Sequence, residues 1–208
     1  MVYFMPIPQR GGRDAAARRA DHASQRQGAY ALLAYALDRE LGLDLFALAV
    51  ARGERGKPYL PGRADVCFNL SHCAGAVACA LDGAPVGVDV EPTRPFDARV
   101  AQRVFTPEEI ALVRAQADPD GAFTRLWTLK ESAAKRSGAG LHAPFRQMRF
   151  TQLNPPAGSG FSGEIAAWRA GNYWIAACAG KTPGPLVAIA AAQVPWDRAA
   201  RYIQEAMP

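Results

Sequence analysis

Gly87-Val88-Asp89-Val90-Glu91 is the stretch from which the expected fold of this chain follows. Apolar and polar residues alternate along it, as side chains alternate between the two faces of a β-strand. The valines therefore point to one face, and the carboxylates of Asp89 and Glu91 point to the other. Their α-carbons are then about 6.5 Å apart. Two like charges this close repel each other unless a cation or a proton lies between them.

Oxygen ligands of this kind suit magnesium, which usually takes one or two carboxylates and completes its shell with water and substrate phosphate. An isolated Asp-x-Glu is more often a pair of solvated charges at the end of a strand. The stretch therefore predicts a metal site only together with the motifs that accompany it.

Composition limits the classes of protein to consider. The chain has 208 residues, half of them hydrophobic, which is enough for one large domain or two small ones with a sizeable core. Its net charge is +5, but the arginines are dispersed, which favours a phosphate-binding surface over a nucleic-acid binder. No window is long enough to span a membrane, and the four cysteines show no Cys-x-x-Cys spacing. A cytoplasmic monomer with reduced thiols is expected.

A helix is predicted to start at a capping box over residues 24–27 and to end at Gly42, with Tyr30, Leu33 and Leu37 on its buried face. Arg26 then lies in the first turn, where local evidence favours a solvated surface residue.

A loop over residues 53–58 carries Lys57 between glycines and Pro58. Glycine lets the backbone approach a ligand closely, and lysine offers a point charge for phosphate. The loop lacks the spacing of a phosphate-binding P-loop.

A short buried strand over residues 66–70 leads into Ser71 and His72. No nucleophile elbow surrounds Ser71, so phosphate binding or a base-like role for His72 fits better than hydrolase chemistry. A structural histidine remains an alternative. Asp82-Gly83 then separates two apolar runs, 76–81 and 85–90, and predicts a β-hairpin.

Two helices carry the polar residues of the second half. Thr106 and Pro107 predict a helix start in which Glu109 is a capping residue, although its carboxylate could also approach the site. Further on, Trp127, Glu131 and Lys135 are spaced four apart and share one helix face. The simpler alternative is a surface Glu-Lys pair, worth about 0.2–0.5 kcal/mol.

Residues 173–180 resemble residues 76–83, and residues 186–194 take the place of the opening strand, with Ala190 and Ala192 where the carboxylates stood. We therefore predict an α+β (α/β) fold of two similar, pseudo-twofold-related halves, each a small antiparallel sheet packed with helices, with the active site at their interface. The predicted halves are residues 1–95 and 96–208, and residues 196–206 are expected to form a closing helix.

The motifs FNLSHC (68–73), GVDVE (87–91), FTPEE (105–109) and WTLKESAAK (127–135), with GKP (56–58) upstream, resemble the surfactin-type 4'-phosphopantetheinyl transferases. The resemblance covers residues 26–141 and extends weakly beyond them. It implies transfer of the phosphopantetheine arm of coenzyme A to a serine of an apo carrier protein, as in holo-[acyl-carrier-protein] synthases. The products are then the holo carrier and adenosine 3',5'-bisphosphate, in fatty-acid, polyketide or nonribosomal peptide synthesis.

The resemblance also implies roles for individual residues. The magnesium ligands are Asp89, Glu91 and Glu131. The residues expected to bind coenzyme A are Arg26, Lys57, Pro58, Ser71, His72, Lys130 and Lys135, with Arg10 and Arg13 as two further basic positions. The catalytic set is Glu131 as first choice for the general base, Glu109 as second choice, and Lys135 and His72.

Two other classes of function remain open on the sequence alone. A magnesium-dependent nucleotide pyrophosphatase would use the same carboxylates without a protein partner. A non-catalytic module that binds a carrier protein or RNA would tolerate the loss of Asp89. The expected partners are coenzyme A and an apo acyl or peptidyl carrier protein, with no nucleic acid and no membrane.

Overall fold

The computed structural model describes residues 1–8, 14–138 and 143–206. The strands are β1 (Val2–Pro6), β2 (Ala51–Arg52), β3 (Pro58–Tyr59), β4 (Cys67–Cys73), β5 (Ala76–Asp82), β6 (Gly87–Pro92), β7 (Arg149–Leu153), β8 (Pro156–Ser159), β9 (Glu164–Ala170), β10 (Tyr173–Ala179) and β11 (Leu186–Ala188). The α-helices are α1 (Ala15–Leu41), α2 (Ala98–Val104), α3 (Pro107–Arg114), α4 (Pro119–Ser137) and α5 (Trp196–Ala206). None of the described helices is long and apolar enough to cross a bilayer.

Two small sheets form the centre of the molecule. A four-stranded sheet has the order β11-β1-β5-β4, antiparallel except for the β11–β1 pair, and a three-stranded antiparallel sheet has the order β6-β10-β9. Helix α1 covers the first sheet, and helix α4 covers the second. The α+β fold class predicted from the sequence is confirmed.

Each sheet combines strands from both predicted halves. Strand β11 pairs with β1 in the four-stranded sheet, and strand β6 pairs with β10 in the three-stranded sheet. These pairings do not locate a boundary between two halves, so the division at residue 95 stays a sequence prediction. Residues 186–194 were predicted to take the place of the opening strand in a second copy of the first sheet, which would put them beside β10. This is wrong, because their strand, β11, pairs with β1 in the other sheet.

The predicted hairpin of β5 with β6 is also wrong. After Asp82 the chain leaves one sheet and enters the other, so that β5 pairs with β1 and β4. The two strands instead pack face to face, with Ala78 and Ala80 of β5 in one buried cluster with Val88 and Val90 of β6. The other face of β5 packs in the cluster beneath α1. A strand buried on both faces is apolar throughout, and nothing in such a run specifies which strand it pairs with.

Helix α4 approaches the start of β6 very closely. A β-carbon built at Gly87 would lie 2.1 Å from the Ser132 carbonyl oxygen and 2.3 Å from the Arg136 amide nitrogen. Only glycine fits this contact, which sets the distance between the Asp-x-Glu strand and the helix. Gly138, with φ of 72°, ends the helix in the left-handed conformation.

Helix α1 is longer than its sequence pattern predicts. It starts at the N-cap Asp14 rather than at Ser24, and it ends at Gly42 as predicted. The capping box over residues 24–27 is therefore internal to the helix, and Arg26 lies in its middle. An N-terminal half rich in alanine and arginine carries no apolar stripe, so periodicity alone missed it.

Candidate active site

The carboxylates of β6 face helix α4, as strand alternation predicts. Asp89 is buried, and its Oδ1 accepts hydrogen bonds from Ser71 Oγ (2.9 Å) and Lys135 Nζ (2.6 Å). Its Oδ2 is also buried but has no hydrogen-bond partner among the described residues. Glu91 accepts a hydrogen bond from Trp127 Nε1 (3.3 Å) and pairs with Arg94.

Glu131 completes a group of three carboxylates. The pKa of Glu131 is raised to about 7, mainly by burial and also by the negative charges of Asp89 and Glu91, against the opposing charge of Lys135. Burial and the charge of Asp89 likewise raise the pKa of Glu91. The Trp127, Glu131 and Lys135 face of α4 is therefore turned towards the Asp-x-Glu strand. A surface ion pair, the simpler alternative, does not describe it.

The carboxylate oxygens of Asp89, Glu91 and Glu131 are the type of ligand that a small, hard cation prefers. In the parts of the chain that the structure describes, no three His, Cys, Asp or Glu side chains are placed to hold a metal ion together. Lys135 instead contacts Asp89, and Arg94 contacts Glu91. Magnesium needs only one or two protein carboxylates. The unpartnered Asp89 Oδ2 and the neighbouring Glu131 carboxylate fit that requirement.

Ser71 joins the two sheets at this site. It lies on β4, and its hydroxyl accepts a hydrogen bond from the Val90 amide on β6 (3.3 Å) as well as contacting Asp89 and Lys135. His72 follows it, with Nδ1 3.0 Å from Gln25 Oε1 of α1. Burial, followed by the charges of His22 and Lys135, lowers the pKa of His72, so its ring is neutral at pH 7.

Lys57 does not reach the site as predicted. Its ammonium donates to the backbone carbonyls of Val86 (2.8 Å), Lys135 (2.8 Å) and Arg136 (3.4 Å). All of its donors are taken by the end of α4 and the residue before β6. These contacts give Lys57 a structural role beside Lys135, and its assignment to a coenzyme A phosphate stays a sequence prediction.

Glu109 of α3 and Lys130 of α4 form a buried pair away from the Asp-x-Glu strand. Their charged atoms are 2.7 Å apart, and both side chains are 1% exposed. Glu109 also accepts from the Thr106 and Phe150 amides, and Lys130 donates to the Val104 and Phe145 carbonyls. The assignments of Glu109 as second-choice base and Lys130 as a coenzyme A contact stay sequence predictions, and the burial of both side chains argues against them.

The other predicted coenzyme A contacts stay predictions. Arg26 is half-buried in the middle of α1, and Pro58 begins the short strand β3. Arg10 and Arg13 lie outside the described residues. Two residues of the site, Arg94 and Gln25, were not predicted from the sequence. Arg94 could have been suggested by its position three residues after Glu91, whereas nothing in the sequence singles out Gln25.

Known proteins match the part of the chain that carries this site. Residues 85–178 match the model of the 4'-phosphopantetheinyl transferase superfamily. A 4'-phosphopantetheinyl transferase of Bacillus subtilis is 37% identical over 116 residues, covering 54% of this chain and 51% of the relative. The transferase Sfp of Bacillus subtilis strain 168 is 36% identical over 110 residues, covering 52% of this chain and 49% of that protein.

Among solved structures, the holo-[acyl-carrier-protein] synthase of Thermotoga maritima aligns with 48% of this chain and 64% of its own, at 18% identity and a TM-score of 0.40. The chain spans about half the length of the curated relatives it matches. The matched residues 85–178 include Asp89, Glu91, Glu131 and Lys135. The resemblance to the surfactin-type 4'-phosphopantetheinyl transferases, predicted from the sequence motifs, is thereby confirmed.

Proposed function

We propose that this protein transfers the 4'-phosphopantetheine arm of coenzyme A to a serine hydroxyl of an apo acyl or peptidyl carrier protein. The observation that carries the proposal is the convergence of three carboxylates, from Asp89, Glu91 and Glu131, beside Lys135. The holo carrier and adenosine 3',5'-bisphosphate are the products, as for a holo-[acyl-carrier-protein] synthase. The match to transferases over residues 85–178 supports the same reaction class.

Magnesium is the proposed cofactor, with Asp89 and Glu131 as its holders; Glu91, the third ligand that the sequence predicts, is paired with Arg94. When bound, the cation supplies neutralising charge to the pyrophosphate of coenzyme A. Once Lys135 no longer pairs with Asp89, its ammonium is available to bind the leaving bisphosphate. The Ser71 hydroxyl and the neutral His72 ring are further hydrogen-bonding groups beside it. Positioned charges of this kind stabilise negative charge as it develops on the leaving group.

Glu131 is the proposed general base for the attacking serine hydroxyl. A base works best when its pKa lies near the operating pH, and burial raises the pKa of Glu131 to about 7. Its carboxylate lies next to the other two, so the proton would be removed beside the phosphate under attack. The hydrogen bonds of the Glu109 carboxylate to Lys130 and two backbone amides favour Glu131 over Glu109 for this role.

An apolar cleft next to the carboxylates supports a bulky second substrate. It encloses about 720 Å³ and is lined by Arg94, Phe96, Val100, Phe123 and Trp127, among others. Trp127 and Arg94 both contact Glu91, so the cleft opens directly beside the Asp-x-Glu strand. A pyrophosphatase acting on free nucleotides has no need of such a surface.

The test is to incubate the protein with coenzyme A, magnesium and a panel of apo carrier proteins, followed by mass spectrometry of the intact carriers. We expect a phosphopantetheine adduct on at least one carrier serine, lost in Asp89→Asn and retained in the exposed control Glu108→Gln. Consumption of coenzyme A without any carrier would favour the pyrophosphatase. Binding of a carrier with no adduct, unaffected by Asp89→Asn, would favour the non-catalytic module.

A further inference from the structure

A second polar cluster lies in the same layer between the three-stranded sheet and α4. Three of its side-chain atoms are buried and have no hydrogen-bond partner among the described residues: Thr93 Oγ1, Arg125 Nε and Trp174 Nε1. All three can donate a hydrogen bond. Most buried polar side-chain atoms are paired, so three unpaired donors in one region need an explanation.

Ring contacts and strand register bring the three residues together. The Arg125 guanidinium lies over the Trp174 ring, 4.9 Å from its centroid. Trp174 is the direct cross-strand partner of Glu91, and Thr93 lies two residues after Glu91, just beyond the end of β6. The Arg94 amide donates to Thr124 Oγ1 at 3.0 Å, which ties the residue after Thr93 to the residue before Arg125.

The charge of the cluster points to an anion. Arg125 forms no ion pair with any described residue, and burial alone lowers its pKa. Arg169 is the cross-strand partner of Trp174 on its other side, with its guanidinium 5.6 Å from the ring centroid. Arg169 does have an acidic neighbour, Asp118 at 3.4 Å, but both groups are about half exposed. Arg125 is partly buried, with its Nε buried and unpartnered, and an oxyanion would supply both the missing acceptor and the missing counter-charge.

We propose that Thr93, Arg125 and Trp174 form a binding site for an oxyanion, either a carboxylate or a phosphate, one register position from the Asp-x-Glu pair. It is separate from the Lys135, Ser71 and His72 group, which lies on the other side of Asp89. Arg125 supplies the charge, whereas the Thr93 hydroxyl and the Trp174 indole N–H supply directed hydrogen bonds. The site does not depend on the proposed transfer reaction.

The test follows the indole N–H resonance of Trp174 by NMR, assigned through Trp174→Phe. Phosphate and acetate are titrated separately against chloride at constant ionic strength. We expect a saturable shift that Arg125→Met weakens by about tenfold, consistent with a charge-assisted hydrogen bond. Arg201→Met, an exposed arginine on α5, serves as the matched control and should leave the titration unchanged.

Thr93→Val, which keeps the shape of the side chain, covers the case in which Arg125→Met fails to fold. It should weaken binding by a smaller factor, about two- to tenfold for a neutral hydrogen bond. Preference for phosphate would point to a phosphate ester as ligand, and preference for acetate to a carboxylate side chain of a protein partner. No shift with either anion, or a titration in Arg125→Met and Thr93→Val that equals that of the wild type, would overturn the site.

Discussion

Two lysines of α4 each pair with a carboxylate of another element, and the two pairs differ in exposure and in the number of their hydrogen-bond partners. In the Glu109–Lys130 pair both side chains are 1% exposed, and further hydrogen bonds go to backbone groups. In the Asp89–Lys135 pair the lysine is 29% exposed, and one oxygen of Asp89 has no partner among the described residues. Lysine and an acidic residue thus form a closed pair at Lys130 and an open one five residues later, at Lys135.

The closed pair stabilises the core because its charged groups are paired with each other and with backbone groups. A buried charge that loses its partner is costly, so this pair cannot open to bind a ligand. The open pair lies between two further carboxylates, where a cation could replace the lysine. The number of partners that a charged atom already has, rather than its burial, therefore indicates whether it is available for chemistry.

The largest effect is expected at Glu131. Glu131→Gln keeps the size of the side chain but removes its charge and its basicity. If Glu131 is the base, turnover should fall by about 10²- to 10⁴-fold, or roughly 3–5 kcal/mol, even at saturating magnesium. The measurement is the initial rate of carrier modification, with exposed Glu108→Gln as control. Recovery of most of the rate at high magnesium would assign Glu131 to metal binding alone.

Breaking the closed pair should affect stability rather than chemistry. Glu109→Gln leaves the Lys130 ammonium buried without its counter-charge, which typically costs about 3–5 kcal/mol. The free energy of unfolding from denaturant titration measures this loss, again against Glu108→Gln. The rate per folded molecule should stay near that of the wild type. A stable Glu109→Gln protein that has lost its turnover would return the base role to Glu109.

Lys57 offers a smaller effect that separates its structural role from phosphate binding. Lys57→Met removes the donor to three carbonyls and should lower the free energy of unfolding by about 1–3 kcal/mol. Arg55→Met, exposed in the same loop, is the matched control. Lys135→Met should instead raise the Michaelis constant for coenzyme A with little loss of stability. The reverse pattern, with Lys57→Met changing only coenzyme A kinetics, would restore the phosphate-binding role predicted for Lys57 from the sequence.

The smallest effect concerns pH. Because the folded-state pKa of Glu131 is about 7, above its ordinary value of 4.5, its contribution to stability is fully present below pH 4.5 and is lost as the pH rises through 7. The full shift corresponds to about 3 kcal/mol, and solvent screening of this partly exposed carboxylate reduces the fall in stability expected without magnesium to on the order of 1 kcal/mol. Thermal unfolding across this range measures it. A decline of the same size in Glu131→Gln would show that another group titrates.

The alternating sequence of β6 by itself determined much of the site. Strand periodicity alone places Asp89 and Glu91 on one face, and helical spacing alone places Trp127, Glu131 and Lys135 on another. Both are local properties of the backbone, so they survive in any fold that contains the two elements. The capping box of α3 and the glycine that ends α1 were predicted for the same reason.

Only the tertiary structure decided which charges are free to act. Residues 127–135 contain two lysines and one glutamate, and no local rule states that Lys130 meets Glu109 whereas Lys135 meets Asp89. Strand pairing was equally undetermined, because β5 is apolar on both faces and therefore fits more than one neighbour. The partner of a charge and the neighbour of a buried strand come from distant parts of the chain. Packing alone selects them, as the hydrogen bonds of Lys57 to the end of α4 and to the Val86 carbonyl show.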